Sequence, residues 1–340
     1  MASIIALKDY LHIWWEKVNN IKSNETLNLY IDFPFCRSCC KYCVYNSLPY
    51  YKNIDRINDY ENFVVNLLKL FAHMFEVRTP DTIYFGGGTA SLWSDMSLGK
   101  IKHTIINYEK IKFKKTEAHP IDLSDERIYF YKKEMGINVI SIGVQSFDKE
   151  ANAGQKRVYV NSERIQHIVE LCHDLGIYVN IDLVALFNGD NQRNWDVFQR
   201  DMEIVCEQIR PDSLDVNPNF RTQLDYTEQV LKLREIIKKF CQTPYIYNAN
   251  ESVLSQERQI VKAYGTNGHY LLTPNFLAYC REGNFHSCSG PQYRKQNQNT
   301  LGFGGVGQHY VYSYTSNGEV SYLSYNFEKK DVDIVHQCNS

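Results

Sequence analysis

Six short runs of apolar and aromatic residues, separated by longer stretches with helical periodicity, limit the fold of this chain more than any other feature. The runs are LNLYIDF (27–33), DTIYFGG (81–87), FKKTEAH (113–119), NVISIGVQ (138–145), YVNIDLVALF (178–187) and DSLDVNP (212–218). Between them, YENFVVNLLKLFAHMF (60–75) and SERIQHIVELCHDLG (162–176) have the apolar spacing of helices. Short buried strands that alternate with helices form parallel sheets, because parallel neighbours need a long crossover. The pattern therefore predicts an α/β fold built of βα units.

The flanks read differently. Residues 1–25 suggest a helical extension, with Leu11, Trp14, Trp15 and Val18 at roughly helical spacing. Beyond about residue 222 the rhythm fades into one helical segment, TEQVLKLREIIKKF (227–240), and a Tyr/Asn-rich tail expected to pack against the sheet. The division expected is 1–25 as N-terminal extension, 26–222 as core, and 223–340 as a substrate-covering C-terminal region. The charge runs KFKK (112–115) and ERIYFYKKE (126–134) read as solvated faces.

A chain of 340 residues buries an ample core without metal or disulfide staples. Its formal net charge of -2 carries no electrostatic footprint for nucleic acid. The start lacks the basic stretch and small-residue cleavage site of a signal peptide. No segment approaches the ~18 apolar residues of a membrane span. A cytoplasmic protein without a membrane or nucleic-acid partner is expected, and there thiols stay reduced.

That expectation bears on FPFCRSCCKYC (33–43), which holds four of the ten cysteines. Cys36, Cys40 and Cys43 fit a C-x3-C-x2-C spacing, while Cys39 offers two abutting C-x2-C pairs. Structural zinc usually draws on two well-separated pairs, which abutting pairs would strain. A reducing compartment disfavours a disulfide. Three thiolates in such a loop can hold three irons of a 4Fe-4S cube and leave the fourth open. The loop directly follows the first strand, GGGT follows the second, EAHP the third and QSF the fourth. The unusual residues thus collect beyond the carboxyl ends of strands, where α/β sheets place their sites.

YIDFPFCRSCCKYC (30–43) resembles the opening motif of radical S-adenosylmethionine (radical SAM) enzymes, specifically the HemN/HemW group of oxygen-independent coproporphyrinogen oxidase-like proteins. The family histidine is replaced by Asp32. YFGGGTASL (84–92), GINVISIGVQSFDKEANAGQKR (136–157) and NIDLVALFNG (180–189) are similar to later landmarks of that group, and LGFGGVGQHY (301–310) is a weaker match. The resemblance implies a partial (β/α)6 TIM-like barrel with a C-terminal α+β extension packed against it. It implies a 4Fe-4S cluster on Cys36, Cys40 and Cys43, with Cys39 a bystander, and SAM on the open iron. Tyr30, Gly86, Gly87, Gly88, Thr89, Glu117, Gln145, Arg157 and Asp182 would then surround SAM. Arg157 would pair with its carboxylate, a contact that a planar guanidinium suits. Tyr30, Gln308 and His309 are candidates near the chemistry. Cys172, Cys206 and Cys241 are expected in the core, and Cys280 and Cys288 as structural. The activity implied is reductive cleavage of SAM and hydrogen abstraction from a small molecule, with flavodoxin or ferredoxin as electron donor. A second SAM for methyl transfer, a tetrapyrrole-related enzyme and a haem chaperone are the alternatives.

Overall fold

The computed structural model describes residues 7–23, 25–43, 47–217, 219, 226–240, 245–247, 277–281, 298–304, 310–314 and 320–324. Six strands lie where the apolar runs predict them: β1 (Thr26–Phe33), β2 (Thr82–Gly87), β3 (Phe113–Ala118), β4 (Val139–Gln145), β5 (Tyr178–Val184) and β6 (Ser213–Asn217). The tail adds β7 (Tyr245–Tyr247), β8 (Leu277–Arg281), β9 (Gln298–Phe303), β10 (Tyr310–Tyr314) and β11 (Val320–Ser324). All belong to one sheet, ordered β11-β10-β9-β1-β2-β3-β4-β5-β6-β8-β7. The seven central strands, β9 through β6, are parallel. β10 and β8 flank them antiparallel, so the sheet is an open, partial TIM-like barrel.

The tail does more than pack on this sheet, since it supplies both flanks. β9 pairs with β1 in register, Leu29 opposite Leu301 and Tyr30 opposite Gly302. Helices cover the apolar face: α1 (Leu7–Asn19), α2 (Ile54–Leu70), α3 (Ala72–Val77), α4 (Asp95–Thr104), α5 (Asp125–Lys133), α6 (Lys149–Gly154), α7 (Ser162–Asp174), α8 (Gln192–Glu203) and α9 (Tyr226–Phe240). Their starts are fixed by side-chain caps: Ser94, Ser124, Asp148, Asn161 and Asn191 each accept a backbone N–H of the first turn.

The strands are two-faced rather than apolar throughout. In β1, Leu27, Leu29, Ile31 and Phe33 are buried beneath helices, while Tyr30 and Asp32 alternate with them and are half-buried. In β2, Ile83 and Phe85 point outward and Tyr84 inward in the same way. Because parallel register partners share a face, the inward positions form polar rows across the barrel.

Several expectations need correction. Lys114 and Lys115 of the KFKK run are buried, because β3 is a central strand. The Lys114 ammonium donates to the Ile111 carbonyl at 2.7 Å, and that of Lys115 lies 4.9 Å from the Tyr84 ring centre. Trp15 is 42 % exposed, leaving Trp14 and Val18 as the buried face of α1. The helix expected over 60–75 starts at Ile54 and breaks at Phe71, and the strand expected to 187 stops at Val184 before a turn that holds Leu186 at φ 52°. Cys172 is buried in the core as expected, and Cys206 only partly so.

Candidate active site

The cysteine loop leaves the carboxyl end of β1 and is tied down at four places. Phe35–Cys36 pairs with Leu48–Pro49, next to a 2.8 Å bond from the Leu48 N–H to the Pro34 carbonyl. Arg37 forms an ion pair with Asp122 and donates to the Tyr51 hydroxyl at 2.9 Å. Asp122 also accepts from the Ser91 hydroxyl at 2.9 Å, which itself accepts the His119 N–H at 3.1 Å. Lys41 reaches the end of α6, its N–H to the Gln155 carbonyl at 3.1 Å and its ammonium to the Gly154 carbonyl at 2.9 Å. A turn closes between the Cys43 N–H and the Cys40 carbonyl at 3.2 Å.

Within this loop Cys36, Cys40 and Cys43 form no disulfide, and Cys39 is exposed with its thiol 3.6 Å from the Ser47 carbonyl. Burial pushes the Cys36 thiol up from its ordinary value, a shift opposed by the Thr89 hydroxyl 3.3 Å from its sulfur. A donor set spread along one loop suits a multi-iron cube, whose thiolate ligands bind separate irons.

Each glycine of the GGGT turn answers a different close approach. A Cβ on Gly86 would lie 2.7 Å from the Tyr30 ring. Gly87 has φ +107°, which favours glycine. A Cβ on Gly88 would stand 2.9 Å from the Cys36 sulfur and 2.9 Å from the Phe35 carbonyl. The triplet thus seats the cysteine loop against the end of β2, and this packing alone accounts for three consecutive glycines. Tyr30 stacks edge-on to Tyr84, ring centres 5.3 Å apart.

Gln145 and Arg157 meet at Gly143. A bulge at the end of β4 holds Gln145 at φ 71°, a left-handed conformation uncommon outside glycine. A Cβ on Gly143 would be 2.8 Å from the Gln145 amide and 3.3 Å from the Arg157 guanidinium. Arg157 donates to the Gly143 carbonyl, to the Tyr42 hydroxyl at 3.3 Å and towards the Cys40 sulfur at 3.9 Å. Tyr42 rests on Phe187, ring centres 4.8 Å apart. The aromatic residue before Cys43 is therefore the bridge between cysteine loop and arginine.

Below these groups the inward row is rich in carboxylates. Asp32, Glu117, Asp182 and Asp215 share it with Lys115, Tyr84, Ser141 and Asn180. Tyr84 donates to Glu117, Ser141 donates to Asp182 at 3.0 Å, and the Asn180 amide bridges Asp182 at 3.0 Å and Asp215 at 3.3 Å. Burial, reinforced by Asp215, pushes Asp182 up to about 8. Burial, reinforced by Glu117, pushes Asp32 up to about 7. Burial also raises Glu117, against Lys115. Four carboxyls facing one lysine favour a guest with positive charge and donors, as the amine and sulfonium of SAM provide.

The structure thus gathers Cys36, Cys40, Cys43, Thr89, Gly86–Gly88, Gln145 and Arg157 at one rim, with Tyr30, Glu117 and Asp182 in the row beneath. Gln308 and His309 lie outside the described residues, as do Cys241 and Cys288; β8 contains Cys280, whose side chain also lies outside them. The strand leading towards Gln308 ends at Phe303, and a Cβ on the next residue, Gly304, would approach the Asp32 carbonyl at 3.0 Å, so the weak motif passes the same rim. Sequence reasoning missed the Arg37–Asp122–Ser91 latch and Asp215. The period-2 alternation of SLDVN carried a signal for Asp215, since it places that residue on the row of Asp182.

Comparison with known proteins agrees with this geometry. The family model of the Radical SAM superfamily matches residues 30–201. The heme chaperone HemW of Buchnera aphidicola subsp. Schizaphis graminum is 32% identical over 176 residues, 50% of this chain and 45% of that protein. The oxygen-independent coproporphyrinogen III oxidase of Helicobacter pylori (strain 26695) is 29% identical over 208 residues, 58% of this chain and 43% of its own. These matches span less than half the length of either relative. The solved coproporphyrinogen III oxidase HemN of Escherichia coli superposes with a TM-score of 0.57 at 16% identity, covering 97% of this chain and 78% of its own, and shows a shared fold. With the cysteine loop, glycine turn and arginine fork built on that fold, the chain belongs to the radical SAM superfamily, with relatives in its HemN and HemW branches.

Proposed function

We propose that this protein is a radical SAM enzyme acting on a small molecule. Cys36, Cys40 and Cys43 would hold a 4Fe-4S cluster. Arg157, Gln145 and the turn at Gly86–Thr89 would hold SAM, with Glu117 and Asp182 beneath it. Together these groups would supply one-electron reductive cleavage of the sulfonium and hydrogen-atom abstraction from the substrate. The chain's own part is binding and exclusion. Tyr42, on Phe187, holds Arg157 beside the cysteine loop, and the Arg37–Asp122 latch fixes that loop to the turn that follows β3. In the row under the rim, burial raises Asp182 to about 8 and Asp32 to about 7, and a bound cation would favour their charged forms.

The observation that carries this reading is the convergence of Cys36 and Cys40 with Thr89 and Arg157, from three separate segments, onto one rim. The test is anaerobic reconstitution followed by reduction with dithionite in the presence of SAM. Release of 5′-deoxyadenosine, abolished in Cys36→Ala and retained in Cys39→Ala, is the expected result; a protein holding one zinc and no sulfide refutes it. A flavodoxin or ferredoxin is proposed as the physiological electron donor. Methyl transfer with a second SAM would appear as two equivalents of SAM bound per chain.

A second reading is favoured by the similarity to HemW: the protein would bind haem as a carrier while keeping the cluster. The carboxylate-rich row counts against an anionic tetrapyrrole inside the barrel, so haem would have to bind outside it. Absorbance titration with hemin separates the two readings.

A further inference from the structure

His119 stands at the carboxyl end of β3, two residues beyond Glu117, and is 8% exposed. Its position in the rim is fixed from both sides. The backbone N–H is bound by Ser91, and Nδ1 accepts the Ile121 N–H at 3.2 Å, capping the turn Pro120–Asp122. Because Nδ1 accepts, the neutral ring carries its proton on Nε2. Burial, with Arg157 and Arg37 acting on it as neighbouring cations, holds the ring neutral by pushing it down to about 2. Nε2 is enclosed and has no hydrogen-bond partner. The nearby carboxylate of Asp122 is already engaged by Arg37 and Ser91.

A buried N–H without an acceptor destabilises a fold, and natural proteins rarely keep one without a reason. This one lies beside the arginine fork, since the adjoining Ala118 carbonyl is 3.9 Å from a Cβ built on Gly143, whose own carbonyl Arg157 binds, and an anion would be drawn there. We propose that the His119 Nε2–H is a second donor, beside the Arg157 guanidinium, to the carboxylate of bound SAM. It is thus a cofactor-binding residue, two positions beyond Glu117. Unlike a third cation, a neutral donor adds a directional bond without adding charge beside the cysteine thiolates. The inference rests on the radical SAM reading of the site.

The experiment measures equilibrium binding of SAM, and of decarboxylated SAM, to the anaerobically reconstituted full chain. His119→Leu removes the donor, and His119→Gln returns an amide N–H at similar reach. For His119→Leu the SAM dissociation constant is expected to rise about tenfold to a hundredfold, the loss of one hydrogen bond to a charged group. Binding of decarboxylated SAM should not change, and His119→Gln should recover most of the SAM affinity. A purely structural role would weaken both ligands alike and would overturn the proposal. So would SAM affinity equal to that of the parent protein, or unchanged affinity with a shifted cluster reduction potential, which would mean a hydrogen bond to cluster sulfur instead. Failure of the parent protein itself to bind SAM would refute the radical SAM reading, a result distinct from any of these.

Discussion

Gly88→Ala tests whether the end of β2 is shaped by the cysteine loop. The new methyl would stand 2.9 Å from the Cys36 sulfur, 2.9 Å from the Phe35 carbonyl oxygen and 2.9 Å from the Pro34 carbonyl carbon. Ordinary carbon contacts lie at about 3.5–4.0 Å. Two of the three atoms are backbone, so neither can rotate away, and only the sulfur can yield. Forcing a methyl into packed surroundings destabilises by about 1–3 kcal/mol. Gly88 is not in the left-handed region, so alanine recovers about 0.4–1 kcal/mol through a less flexible unfolded chain. The net expectation is a loss of about 1–2 kcal/mol. Displacement of the Cys36 sulfur should also lower iron and sulfide below about four each per chain after reconstitution. Gly99→Ala is the control, since Gly99 lies inside α4 with no atom within 4 Å of the added methyl. Alanine there should stabilise by about 0.5–1 kcal/mol. Urea melts of both apo-proteins and iron analysis of both reconstituted proteins decide the matter. A Gly88→Ala protein that melts with the parent and retains full iron would refute the argument.

Other consequences are equally measurable. Asp122→Asn weakens the latch on Arg37, and reconstituted protein should lose iron faster on gel filtration, with stability lower by about 1–2 kcal/mol in urea. Arg157→Lys replaces a fork that reaches Tyr42, Gly143 and Cys40 by a point charge, and SAM affinity measured by equilibrium dialysis should fall at least about tenfold. Asp182, raised to about 8 by burial and Asp215, binds a proton in the folded state that the unfolded chain gives up near 4. Its contribution is therefore fully present below about 4 and lost as pH rises through about 8. Stability of the apo-protein should fall across that window, and Asp182→Asn should flatten the fall in melts run from pH 5 to 8.5.

Most strand positions were legible to within a few residues because those strands show their buried outer face as alternate Leu, Ile, Val or Phe, whereas β3 buries Lys114, Thr116 and Ala118 there. The cysteine loop, glycine turn, Gln145 and Arg157 were legible as motifs, and their convergence follows from strand order. What the sequence hid was any property arising from contact across the sheet. Lys114 and Lys115 look like solvated charge until β3 is known to be central. The left-handed backbone of Gln145 comes from a bulge against β5 that no local pattern announces. The place of β9 beside β1 depends on a pairing across most of the chain, which periodicity does not encode. Asp122 and Ser91 serve the cysteine loop from two other segments, and neither type is unusual enough to draw notice alone.

That last pairing has a consequence for biosynthesis. The outer edge of β1 is completed by Gln298–Phe303, so the strand that presents the cysteines keeps an open backbone edge until nearly the whole described chain has been translated. At about 5–20 residues per second the wait is on the order of tens of seconds. An open strand edge is a template for pairing with other chains. Overproduction of this protein in cells should therefore be limited by association of nascent chains through β1, and slower translation or a bound chaperone should raise the soluble yield more than added iron does.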